Sequence, residues 1–171
     1  AGLSGIGAGV RVWAANDNYY ENEGTIIING GNIRARGQYG SSAIGGSHQD
    51  RNVSSDGDTP GNLRQGGSIT INGGVVRTEA FAMSVGNCTT VESVGIGTCQ
   101  MGYGGSVTIN GGTVIAEATC DAITTGYGGT ITINGGDVTA IGGVNNFAED
   151  LNRVIPGNGI GPYESGSVTI N

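Results

Sequence analysis

The chain has 171 residues, with 36 Gly, only 3 Pro, seven Arg, no Lys and fourteen acidic residues, for a net charge of −7. A nucleic-acid binder needs a basic face to displace phosphate counterions, and an anionic membrane surface favours one too, so this balance speaks against both partners. No apolar run approaches the roughly 20 residues of a membrane span, which speaks against membrane insertion.

The chain opens on Gly5-Ile6-Gly7, an Ile among small residues. A segment from Val10 to Glu23 follows, carrying Trp13, Asp17, Tyr19, Tyr20, Glu21 and Glu23. Then comes Gly24-Thr-Ile-Ile-Ile-Asn-Gly-Gly31, the first copy of an octapeptide that recurs from Gly67, Gly105 and Gly129 and, truncated, from Gly166. After each complete copy a second short strand is predicted, at Asn32–Arg36, Val75–Glu79, Thr113–Glu117 and Asp137–Ile141. A third element follows, centred on Ile44, Ile96, Ile123 and Ile160, and equivalent to the opening Ile6. The unit is therefore three short strands joined at Gly-rich corners.

Such a self-similar unit is the signature of a solenoid. The motif Asn stands at 29, 72, 110, 134 and 171, spacings of 43, 38, 24 and 37 residues. The shortest is the bare coil; the longer ones carry insertions at loops. Strand side chains alternate faces. Ile69/Ile71, Val107/Ile109, Ile131/Ile133 and Val168/Ile170 are therefore predicted inward, with Ser68, Thr70 and Asn72 and their equivalents outward. Ile33, Val76, Val114 and Val138 point inward from the second strand, followed by Ala35, Thr78, Ala116 and Ala140. Each coil buries its apolar face only against its neighbours. The predicted fold is all-β: a right-handed parallel β-helix of about five coils, one domain over 1–171. The motif Asn is expected to bond locally at the turn or to stack into a ladder.

The Ile-Thr-Ile-Asn-Gly-Gly-x-Val-x-Ala unit, with Ala-Ile-Gly or Gly-Ile-Gly in each coil, resembles repeat domains of bacterial surface proteins, many from Firmicutes. It is similar to the carbohydrate-binding parallel β-helix domains of clostridia. The resemblance covers essentially the whole chain and implies the solenoid. Members of the carbohydrate-binding group often place Asp-Asp-Gly or Asp-Gly-Ile at the third strand, where carboxylates hold calcium. Here that place holds Asp121 once, with Ser42, Ser93 and Asn158 nearby in other coils.

Enzymes on β-helices gather carboxylates and a basic residue in a groove. This chain has scattered Arg and a single His48 in a loop, so no catalytic group is expected. Arg34 and Arg77 share an outward place in successive coils, as do Arg36 and Glu79, which reads as a cross-strand surface pairing.

The insertions carry the functional expectation. The first two, Val10 to Glu23 and Ser47 to Gln65, follow equivalent third strands and should project from one corner. Trp13, Tyr19 and Tyr20 would then stand beside His48, Arg51 and Arg64, and aromatic faces with polar neighbours suit a sugar. Packing of these rings onto the coil is the competing reading. Asp50, Asp56 and Asp58 could hold calcium, against a solvated turn; no cofactor is otherwise expected. The other insertions, 81–94 and 142–158, leave from a different corner; Phe147 and Leu151 are expected to fold the latter onto the coil.

Cys88 and Cys99 flank one loop and Cys99 to Cys120 spans about one coil, so either pair could bridge, which suits an oxidising compartment. Asn52 and Asn87 lie in acceptor sequons for N-glycosylation. Neither end of the chain carries a polar cap. The edges at Ile6 and at Val168 and Ile170 are therefore expected either to self-associate end to end or to continue into further chain. The function expected is a secreted or cell-surface, non-enzymatic, adhesin-like module recognising carbohydrate on a host or cell surface. The alternative is a spacer or self-assembling filament subunit. Ice binding by the outward Ser/Thr/Asn files is a minor reading.

Overall fold

The computed structural model describes residues 5–7, 24–38, 41–46, 65–81, 93–98, 103–146, 154–162 and 165–171. All regular structure among them is β. The strands are β1 (Thr25–Ile28), β2 (Asn32–Gln38), β3 (Ser42–Gly45), β4 (Gln65–Ile71), β5 (Val75–Phe81), β6 (Val94–Gly97) and β7 (Tyr103–Ile109). They continue as β8 (Thr113–Ala118), β9 (Asp121–Thr124), β10 (Thr130–Ile133), β11 (Asp137–Gly142), β12 (Val144–Asn146), β13 (Val154–Pro156) and β14 (Ser167–Ile170).

Strands at equivalent places in successive coils pair in parallel. This gives a first sheet β1-β4-β7-β10-β14, a second sheet β2-β5-β8-β11 and a third sheet β3-β6-β9. The chain is a parallel β-helix with three strands per coil. The octapeptide copies align without slip: Ile28, Ile71, Ile109, Ile133 and Ile170 form one file, and Ile26, Ile69, Val107, Ile131 and Val168 another. A one-residue slip would turn both files outward, so the apolar alternation itself fixes the register.

The core is the lumen. Ile71, Ile109, Val76, Val114, Ile44, Ile96 and Ile123 are fully buried, and Ile6, Ile33, Val138 and Ile160 pack against them partly covered. The inward file Ala35, Thr78, Ala116 and Ala140 keeps the lumen narrow. Thr78 is 1 % exposed and its hydroxyl has no hydrogen-bond partner among the described residues. The third sheet is buried on both faces, Ser42, Ala43, Ile44 and Gly45 alike.

The corner after the first strand is built the same way four times. Gly31, Gly74, Gly112 and Gly136 all have φ between +89° and +100°, a region that only Gly enters without strain. Beside them the motif Asn side chains form a continuous ladder. Each Nδ2 of Asn72, Asn110, Asn134 and Asn171 donates to the Oδ1 of the Asn in the preceding coil at 2.8 Å.

The structure departs from the sequence reading in four places. The second strands run past Arg36, Glu79 and Glu117, so Gly37, Ala80 and Ala118 continue the inward alternation. The third elements around Ile6 and Ile160 are single parallel bridges to Ile44 and Ile123, not strands. The 142–158 insertion contains an antiparallel ladder, β12 with β13. Val168 and Ile170 keep the inward register yet are 40 % and 69 % exposed, because a lumen residue is covered only when coils stack on both sides.

Candidate functional site

The corner between the third and first sheets is where two coils open. Gly7 and Gly45 stack there, with Gly45 N–H bonded to Ile6 C=O at 2.8 Å. Both have φ near +130°. From these stacked residues the chain departs into 8–23 and 47–64, and it returns at Gly24 and Gln65. The two insertions therefore leave from one corner in adjacent coils, as their place in the repeat requires.

In the coil of β9 and β10 the corner is compact. Between β9 and β10 the chain crosses by a short turn through Thr125–Gly129, with Gly129 N–H bonded to Gly126 C=O. The register Gly45, Gly97, Thr124 puts Gly46, Thr98 and Thr125 in one file. Thr98 and Thr125 are 4 % and 0 % exposed. The Thr98 hydroxyl stands where side chains on Gly66 and Gly105 would otherwise go, 2.9 and 3.1 Å from the Cβ positions. Gly46 has no side chain to do the same.

The result is a cleft of about 210 Å3 at this corner. Its described lining comprises Gly residues of both sheets, Ile26, Ile69 and Val107 from the lumen end, and Thr25, Ser106 and Thr98. No described lining residue is charged. Ligand pockets run from about 300 to 1,000 Å3, so this one suits a single small group rather than an extended molecule. The Thr98 side chain lines the cleft, and its hydroxyl makes no hydrogen bond among the described residues.

Elsewhere the Glu79 and Asp121 side chains are held by described partners. Glu79 accepts from Arg34 Nη2 at 2.5 Å and from Arg36 Nε at 2.8 Å on the outer face of the second sheet. Arg34 above all, with Arg36 beside it, holds the Glu79 carboxyl below its ordinary value against an opposing effect of desolvation. Arg34 and Arg77 are indeed opposite one another, as are Arg36 and Glu79. Asp121, at the place where the resemblance implies calcium, is 3 % exposed and accepts Asn158 N–H at 2.7 Å. Among the described residues no three His, Cys, Asp or Glu side chains converge as a metal site.

Trp13, Tyr19, Tyr20, His48, Arg51, Arg64, the Asp50, Asp56 and Asp58 set, Cys88, Cys99, Asn52 and Asn87 all lie outside the described residues, as do Phe147 and Leu151. Cys120 is buried. Sequence reasoning missed the cleft and Thr98. The available signal was the residue after the third element, Gly46 in one coil and Thr98 and Thr125 in the next two.

No protein-family model, curated protein or solved structure matches this chain.

Proposed function

We propose that this chain is an extracellular, non-enzymatic surface module that recognises carbohydrate at the corner between its third and first sheets. The observation that carries the reading is a cleft whose described lining is uncharged and includes Gly7 and Gly46, the residues next to segments 8–23 and 47–64. The first segment brings Trp13, Tyr19 and Tyr20; the second brings His48, Arg51 and Arg64. Sugars are held by ring stacking and by polar contacts, and these are the residue types that supply both. The resemblance to carbohydrate-binding β-helix domains points the same way. A glycan array probed with the whole chain tests it: selective retention of a glycan class supports the reading, and no retention on any spot overturns it.

The spacer or filament reading has one observation in its favour. The five strands of the first sheet stack in one unbroken register, an arrangement that further coils extend without change. Electron micrographs of the purified chain showing filaments would favour this second reading.

A further inference from the structure

The cleft is unusual in what it combines. Its inner end is apolar, made by Ile26, Ile69 and Val107. Its one side-chain hydroxyl on a deeply buried residue belongs to Thr98, 4 % exposed and without a hydrogen-bond partner among the described residues. The Thr98 oxygen is not among the fully buried unpaired atoms: it faces the cleft, where a ligand's polar group can take the place of water. A Thr hydroxyl both donates and accepts. The group that completes this cleft is therefore small and uncharged, with an apolar end and an amide or hydroxyl partner beside it.

We infer that the cleft receives the acetamido group of an N-acetylated sugar. The inference rests on the carbohydrate reading and narrows it to a substrate class. The acetamido methyl fits against Ile26, Ile69 and Val107, and its amide meets Thr98 Oγ1. A bare hexose sets hydroxyls against those apolar walls and leaves them unpaired. A free amino sugar brings a cation into a cleft with no described counter-charge, which costs more still. A carboxylated sugar meets the same objection with the opposite sign.

The repeat supplies its own control. Thr98 and Thr125 show that the solenoid accepts Thr at this place, so Gly46→Thr fills the cleft with a residue the fold already uses there. Thr98→Val keeps the side-chain shape and removes the hydroxyl.

The experiment is titration calorimetry of the whole chain at physiological salt with oligomers of N-acetylglucosamine, the same oligomers deacetylated, and oligomers of glucose. Acetylated oligomers are expected to bind at least about tenfold tighter than either other set. Thr98→Val should weaken them roughly three- to tenfold, the value of one hydrogen bond, and Gly46→Thr should abolish their binding, both with unchanged melting. Equal binding of all three sets would overturn the inference while leaving the carbohydrate reading standing. Binding of none of them, with a blank array, would overturn both. Undiminished binding by a folded Gly46→Thr variant would place the sugar elsewhere and also overturn it. Should either variant fail to fold, the acetylated-to-deacetylated comparison on the unaltered chain still decides.

Discussion

Asn110 donates from Nδ2 to Asn72 Oδ1 at 2.8 Å, across two coils whose motif residues lie 38 positions apart in sequence. The same side chain accepts from Asn134 Nδ2 at 2.8 Å. The bonds run in one direction along the solenoid, so each Asn is donor to one coil and acceptor from the other. Such a ladder clamps the corner independently of how long the intervening insertion is. It gives the motif Asn a structural task, which composition alone does not reveal.

Asn110→Ala removes two of these bonds at once. Each intramolecular hydrogen bond contributes about 0.5–1.5 kcal/mol net, and these are solvent-exposed. Chemical denaturation should show a loss of about 1–2 kcal/mol. A loss under the error of the measurement would mean that the ladder follows the coil stacking and does not support it.

Ile109 and Thr78 make a contrasting pair inside the lumen. Ile109 is fully buried between Ile71 and Ile133 in the register of the first sheet. Ile109→Ala should cost about 2–5 kcal/mol through lost transfer energy and a cavity. Thr78 is as deeply buried but carries a hydroxyl with no partner among the described residues. Thr78→Val keeps the shape and removes the desolvated group, so it should stabilise the chain by about 1–3 kcal/mol. A lowered melting temperature for Thr78→Val would show that the hydroxyl is satisfied in solution, by a water for instance.

Glu79 gives the acid limb a specific contributor. Its carboxyl is held below the ordinary value by Arg34 and then Arg36. A depressed native value means that the unfolded chain takes up the proton first as pH falls. The stabilisation is therefore complete above the ordinary carboxylate range and is lost as pH falls through the native value. Glu79→Gln should melt below the parent at neutral pH, and the gap should close in acid. A gap that stays constant with pH would assign the effect to packing. The guanidinium groups are more than half exposed, so added salt should narrow the gap as well.

Tyr19→Ala and Tyr20→Ala test the proposed recognition surface. If the rings stack on a sugar, each substitution should weaken glycan binding by about 1–2 kcal/mol, the contribution of an aromatic contact. Thermal melting should barely change. A large fall in melting temperature with unaltered affinity would show that the rings pack onto the coil instead.

The coil architecture was legible in the sequence because three signals repeat together: apolar alternation, the Asn-Gly-Gly corner, and a small-residue third element. Alternation fixed which residues line the lumen, since side chains on a strand have only two faces to choose between. The second Gly after Asn marked a turn that requires positive φ. Even the pairing of Arg36 with Glu79 followed from the repeat register.

What the repeat could not supply was anything set by distance between elements. The shift from Gly46 to Thr98 and Thr125 is visible in sequence as a minor irregularity. Only the stacked corner shows that a cleft lies beside it, because the lining combines Gly46 and Thr98 with Gly24, Gly67 and Ser106 from a different sheet. Glu79 reaches Arg34 as well as Arg36 because a long side chain spans the diagonal, which register alone does not state. The exposure of Val168 and Ile170 likewise belongs to the stack: their alternation matches the core files, and burial needs a second coil to cover them. Sequence alone determined the direction of each side chain along the strand; the packed coils decided which of those directions end in core, in solvent or in a cavity.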